Sequence, residues 1–408
     1  MDDDHQPMHL PIDGLRGLLL RARARIDARR RAGLERHQNV VTPLEGPWVA
    51  VDGRRCALLC GNDPLALRGH PSMAEAVANG ARTWGVGAGA SRLIVGTLPI
   101  HRELEERLAE YFHAPAALVF PSGFQANLAA MTTVSSLGGC IISDERNHAS
   151  LIDAMRLSKA RVEVIPHGDV GALRKIRIAE DEDRFLVLES LYSMDGNRPD
   201  LTAWLDALEE IGGIALVDEA HALGVVGPGG RGLVVDAGLT ERVAIRMGTL
   251  SKAFGGQGGF VLGDVDFIHW LANEGRSYVY TTGLAPPMAA AALAALDLFV
   301  AEPWRRVRAV GFAERFRAFL ADHGVDTPPV RDHIVPVIIG SNEHTMQVAQ
   351  DLLEAGFLVG PIRPPTVPHG TARLRFSFRA DLSDDLVDQV AETLVRSFMN
   401  HPEIRSSN

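Results

Sequence analysis

Seven short apolar runs recur through the middle of this chain: AALVF (116–120), CIIS (140–143), RVEVI (161–165), RFLVLE (184–189), GIALVD (213–218), VAIRMG (243–248) and GFVLG (259–263). Most are separated by stretches long enough for a helix. A strand apolar on both faces has both faces buried, and strands that alternate with helices build a parallel sheet covered on each side. The pattern therefore predicts an α/β fold: a large domain with a mostly parallel seven-stranded sheet. Residues 12–37 read as a helix, WVAVDGRRCALLCG (48–61) as a hairpin around its D-G turn, and 71–83 and 100–112 as helices, the second opening after Pro99. Beyond an alanine-rich helical stretch (288–300), HIVPVIIG (333–340) and ARLRFSF (372–378) are strands of a smaller C-terminal α+β domain. The expected division is an N-terminal helix and hairpin segment over 1–60, a large domain over 61–290 and a small domain over 291–408.

The polar residues that carry chemistry stand where the apolar runs end, which is where ligands bind in open parallel sheets. AALVF is followed by PSGFQANL, CIIS by DERNHASL, RFLVLE by SLYSMDG, GIALVD by EAHALG, and VAIRMG by TLSK. Five strand ends thus present Ser122, His148, Ser193, Asp218, His221, Thr249 and Lys252 toward one crevice.

Lys252 is the most telling of them. Of 41 basic residues only Lys159, Lys175 and Lys252 are lysines, so arginine serves wherever a positive charge suffices. A primary amine forms a Schiff base with an aldehyde; a guanidinium does not. The bland alternative is a surface lysine in a glycine-rich loop. Asp218 ends an apolar strand, and a buried carboxylate needs a partner. A protonated pyridine nitrogen, as in pyridoxal phosphate, is one such partner; a helix N-cap or a magnesium site would serve equally. His221 is placed to reach the 3′-oxygen of such a ring, though a satisfied core histidine reads the same way. In PSGFQANL, glycine at a helix start allows close backbone approach, and the first N–H groups suit a phosphate. Thr249 and Ser193 add hydroxyls. His148 could stack on a planar group or merely begin a helix.

Other classes are excluded. A net charge of −10 leaves no basic footprint for nucleic acid. The one basic stretch (21–37) reads as a solvated helix face, and the acidic opening MDDDHQP is unlike a presequence or secretory signal. No run approaches the ~18–20 apolar residues of a membrane span. Cys56, Cys60 and Cys140 lack paired spacing, which favours a reducing compartment without a zinc site; a cytoplasmic protein is expected. GVGAGA (85–90) matches a dinucleotide fingerprint but follows no strand, and Lys252 lacks the context of a Walker A loop.

Taken together, TLSKAFGGQG with DEAHALGVVG some thirty residues before it resembles the α-oxoamine synthases. So do GNDPLALRGHP (61–71), GAGASRLIVGTLPIHRELEERLAEY (87–111), SGFQANLA (122–129), NHASLIDAMRLSKA (147–160), SMDGNRPDL (193–201) and RPPTVPHGTARLRFSF (363–378). These are fold type I pyridoxal-phosphate transferases that condense an amino acid with an acyl thioester, losing carbon dioxide. The resemblance implies that Lys252 holds the cofactor and acts as acid–base group. It implies that His148 stacks on the ring, Asp218 pairs with the pyridine nitrogen and His221 bonds the 3′-oxygen. Gly123 and Phe124 would offer backbone N–H groups, Ser193 would lie beside the cofactor, and Thr249 would bond its phosphate. Thr282 matches a position that reaches the phosphate of a neighbouring subunit, which implies a homodimer with a shared site. Arg375 would grip the amino-acid carboxylate; Ser377, on the same strand face, and Asn62 are the other substrate residues expected. The motifs are most like those of the member that joins L-alanine to a pimeloyl thioester, on coenzyme A or a carrier protein. Sister enzymes take glycine or serine and other acyl chains, and an aminotransferase would share Lys252 and Asp218. The chain departs from the family at Pro64, where a tyrosine is usual, and at Arg379, which would add charge if it faced inward.

Overall fold

All seven apolar runs are strands, and they hydrogen-bond into a single sheet. The computed structural model describes residues 14–36, 38–179, 181–329 and 331–401. In chain order the strands begin with β1 (Val41–Pro43), β2 (Trp48–Val51) and β3 (Arg54–Leu58). β2 and β3 form the expected hairpin; Asp52 and Gly53 take the positive φ angles, 49° and 78°, that a tight two-residue turn requires. The large sheet follows: β4 (Ala116–Phe120), β5 (Cys140–Asp144), β6 (Arg161–Ile165), β7 (Arg184–Glu189), β8 (Ile214–Asp218), β9 (Ile245–Thr249) and β10 (Gly259–Gly263). Their order is β4-β10-β9-β8-β7-β5-β6, with β10 antiparallel to both its neighbours and the remaining pairs parallel.

Alternation along each strand feeds two cores. Val119, Ile142, Leu186, Leu188, Val217 and Phe260 pack on one face, and Phe120, Ile141, Val187, Leu216, Met247 and Val261 on the other. The helices Pro71–Trp84 and Pro99–Tyr111 start with proline in the first turn, where its missing N–H costs nothing. The N-terminal helix runs Gly14–Arg31; residues 12, 13 and 37 of the expected helix, and the acidic opening, lie outside the described residues.

The third sheet contains β11 (Ile334–Gly340), β13 (Gly360–Ile362) and β14 (Ala372–Ser377), in the order β11-β14-β13. The two-residue β12 (Phe357–Leu358) instead pairs in parallel with β3, so the N-terminal hairpin and the C-terminal part share a sheet and, through Ala57 and Leu59, a core. Residue 291 lies inside the helix Pro286–Ala301, which packs on the large sheet's core, whereas the next helix, Trp304–Asp322, belongs to the C-terminal core. Among the described residues no single helix is long and apolar enough to cross a membrane.

Candidate active site

The carboxyl ends of β4, β7, β8 and β9 open on one cavity of ≈ 200 Å³. Ser122, Gly123, Phe124, His148, Asp218, Thr249 and Lys252 line it, as do Asn127, Ser150, Glu189 and Ser251. Seven of the thirteen expected site residues therefore share one wall system. Of the others, His221 is buried close enough to feel the charge of Lys252 and Arg375. Ser193, Asn62 and Arg375 meet at the C-terminal sheet: Arg375 Nε donates to the Ser193 carbonyl at 2.6 Å and its Nη2 to Asn62 Oδ1 at 3.3 Å. Ser377 is buried on the same strand, its Oγ without a hydrogen-bond partner. Thr282 is exposed, bridges Ser91 and is not among the residues that line this cavity.

Sequence dictates the local geometry. The helix Gly123–Val134 is capped by Ser122, whose Oγ accepts from Gln125 N at 3.3 Å; the first helical N–H groups have no acceptor within the helix and face the cavity. Close approach here depends on glycine. A Cβ on Gly123 would come within 3.3 Å of the Thr249 side chain, and one on Gly259 would lie 2.5 Å from Gly123 N. Thr249 Oγ1 donates to the Gly258 carbonyl at 3.0 Å and lies 2.7 Å from Ser251 Oγ, a second hydroxyl on the cavity wall.

Both carboxyl oxygens of Asp218 accept hydrogen bonds. Oδ1 accepts from Ala220 N at 2.8 Å and Oδ2 from Asn127 Nδ2 at 2.8 Å. Asn127 Nδ2 also donates to Ser150 Oγ at 2.9 Å, leaving the serine proton for His148 Nδ1 at 2.8 Å. Since Ser150 N also donates to Nδ1 (3.2 Å), that nitrogen is the acceptor and the His148 proton sits on Nε2. One amide thus links the carboxylate to the histidine. Burial lowers the His148 pKa, with the Lys252 charge adding to it, and burial holds His221 well below its ordinary value. Burial pushes the Lys252 ammonium down to about 8, against the pull of Asp218 and Glu189. It pushes the Arg375 guanidinium down to about 10.

Two expectations need correcting or extending. Arg379 does face inward, but it brings no free charge: its guanidinium is paired with Asp381 at 2.9 and 2.7 Å. Its neighbour Ala380 donates to the Pro64 carbonyl at 2.8 Å, so both departures from the family belong to one packed corner. Sequence reading missed Glu189, Asn127 and His333. Glu189 ends an apolar strand as Asp218 does, and the same argument would have found it. His333 is buried between Asp332 and the cations Arg375 and Lys252, and burial lowers its pKa to about 4; nothing in HIVPVIIG marks it.

The chain matches the model of the class I and II aminotransferases over residues 54–394. It is 39% identical to the 8-amino-7-oxononanoate synthase of Stutzerimonas stutzeri over 381 residues, 93% of this chain and 97% of that one. The 8-amino-7-oxononanoate synthase of Aromatoleum aromaticum is 40% identical over 360 residues, 88% of this chain and 93% of that one. Among solved structures, a serine palmitoyltransferase variant from S. paucimobilis with bound PLP–myriocin aldimine superposes with a TM-score of 0.88 at 27% identity, covering 95% of this chain and 99% of that chain. The chain belongs to the class I and II aminotransferase family, the pyridoxal-phosphate enzymes of fold type I. Within it the chain is an α-oxoamine synthase, a pyridoxal-phosphate-dependent acyltransferase.

The residues present fit that cofactor. The cavity offers a primary amine, a hydrogen-bonded carboxylate for a ring nitrogen, a neutral imidazole, and a helix start whose glycine leaves room for a phosphate.

Proposed function

We propose that this enzyme condenses L-alanine with a pimeloyl thioester to give 8-amino-7-oxononanoate, carbon dioxide and free thiol, a step toward biotin. Support comes from the names of relatives that share about two residues in five over most of the chain. The observation that carries the chemistry is the buried Lys252, which lines one cavity with Asp218 and feels the charge of Arg375. Pyridoxal phosphate, when bound, draws electrons from the α-carbon of an attached amino acid, so that this carbon loses a proton and attacks an acyl group.

The chain's own residues do the rest. Lys252 holds the cofactor, then takes the α-proton and returns it. Asp218 keeps the pyridine nitrogen protonated, His221 bonds the 3′-oxygen, and His148 lies against the ring. Gly123 and Phe124 N–H groups, with Thr249 and Ser251 behind them, receive the phosphate. Arg375, with Asn62 and Ser377, holds the amino-acid carboxylate. Thr282 reaches the phosphate of a second copy, so the enzyme is a homodimer. The largely exposed Val86, Ile94, Val95 and Tyr280 near the Ser91–Thr282 bridge are the apolar surface such a partner would cover. A cytoplasmic enzyme is in keeping with its free thiols.

Arg375→Ala should raise KM for the amino acid by roughly 10–100-fold and leave KM for the thioester nearly unchanged, since a hydrogen bond to a charged group contributes about 1.5–3 kcal/mol. The reverse split would move Arg375 to the acyl substrate. For the reaction itself, alanine, glycine and serine are offered against pimeloyl-coenzyme A, pimeloyl-carrier protein and other acyl thioesters. Thiol release and product mass should be largest for alanine with a pimeloyl donor. Preference for serine or for a long acyl chain would replace this reading.

A further inference from the structure

Two carboxylates, not one, face Lys252. β7 and β8 are parallel, and their last residues, Glu189 and Asp218, are register partners. Both are buried, and both line the cavity that holds the lysine. The backbones of parallel neighbours lie about 4.8 Å apart, so register partners stand side by side, and two buried carboxylates that share a single ammonium do not both stay ionised, because the second charge repels the first in a site shielded from water.

Hydrogen bonding decides which one keeps the proton. Asp218 accepts from two donors, Ala220 N and the Asn127 amide, one at each oxygen. For Glu189 the backbone N–H of His148 is the donor at hand. The better-solvated carboxylate is the anion. The other groups facing Glu189 push the same way: Asp144 at the end of β5 adds a third negative charge nearby, and the Tyr192 phenol, just beyond β7, carries none. His148 is held neutral at the start of the next helix, which leaves Lys252 as the cation acting on it.

We propose that Glu189 is a positioning residue that works as a neutral carboxylic acid: it keeps the proton of the Glu189–Asp218 pair. This rests on the functional reading above. Asp218 then stays ionised toward the pyridine nitrogen, Lys252 feels one full negative charge and not two, and the Glu189 carbonyl oxygen fixes the backbone of His148 at the ring. The direction of the Glu189 pKa agrees, raised well above the carboxylate range by burial first and by Asp218 second.

The test separates a neutral acid from an anion. Glu189→Gln replaces a neutral acid by a neutral amide of the same shape; Glu189→Ala removes the group. Two readouts are followed against pH in the full-length protein: the cofactor absorbance of the holoenzyme, and the uptake of pyridoxal phosphate by the apoprotein, which reports the unprotonated Lys252 amine. The Gln variant should hold the parent's midpoints to within about 0.3 unit and retain at least about tenfold more turnover than the Ala variant, whose loss is that of a buried partner. If Glu189 were an anion in the parent, its removal in Glu189→Gln would lower the Lys252 midpoint by about one unit or more, and the proposal would fall. Equal turnover of the two variants would mean that the Glu189 side chain positions nothing, and the proposal would fall; failure of Arg375→Ala or of the substrate screen would touch only the functional reading. Should the Gln variant not fold, infrared difference spectra of the parent decide: the absence of any protonated-carboxyl stretch overturns the assignment.

Discussion

Lys252→Ala should lower turnover by at least about 10³-fold, the scale of a lost acid–base group, while the folded protein remains. The fold does not use this side chain. The turn that presents it closes on its own backbone, through Gly255 N to the Lys252 carbonyl at 2.8 Å, Gly256 N to the Leu250 carbonyl at 3.0 Å and Leu250 N to the Gly258 carbonyl at 3.0 Å. Circular dichroism should therefore match the parent's. Lys252→Arg should fare no better: a guanidinium keeps the charge but neither bonds the aldehyde nor accepts a proton at neutral pH. The pH response follows from burial. With the amine titrating at about 8, its unprotonated share declines roughly tenfold for each unit below that value. Cofactor uptake by the apoprotein should decline in the same way, and the arginine variant should show no such limb. Near-normal turnover in either variant would remove Lys252 from the mechanism.

Asp218→Asn should cost on the order of 10²–10³-fold in α-proton exchange, the scale of a lost preorganised electrostatic partner. The change is close to isosteric, yet it does two things. It takes the negative charge from the ring nitrogen, and it turns one acceptor into a donor. The Asn127 amide already donates there at 2.8 Å, so two donors would confront each other and Asn127 would swing away, releasing Ser150 and then His148. Asn127→Ala separates the parts: it breaks the link to His148 but leaves the charge, and so should cost less than Asp218→Asn. Exchange of the alanine α-hydrogen in heavy water, followed by mass, reads the step directly. An unchanged rate in Asp218→Asn would exclude the role given to that carboxylate.

The large sheet was legible because its signal is local. A strand buried on both faces must be apolar at every position, whatever covers it, and GIALVD or GFVLG says so without its neighbours. Lys252 and Asp218 were legible as violations of a pattern: a lysine where arginine is the habit, and a carboxylate closing an apolar run. Glu189 broke the same rule and passed unnoticed for lack of a familiar motif around it. Asn127 had no such mark, since an amide one turn into a helix is ordinary until its two protons are seen to serve Asp218 and Ser150. The pairing of β12 with β3, and the meeting of Arg375 with Ser193 and Asn62, join segments far apart in the chain. Periodicity reports that a face is buried, not what buries it. Arg379 shows the same limit: its inward direction could be suspected, but the counterion two residues on decides what that means.

The stretch 193–198 is sewn to the C-terminal sheet by three arginines. Arg375 holds the Ser193 carbonyl, Arg373 holds Asp195 at 2.7 Å and the Met194 carbonyl at 3.2 Å, and Arg198 reaches the other way to Asp332 at 2.7 Å. Shifting β14 would drag this loop along, and with it Arg375, the residue proposed to hold the amino acid. New thioester preferences in such an enzyme are therefore better sought in side chains that leave those stitches alone.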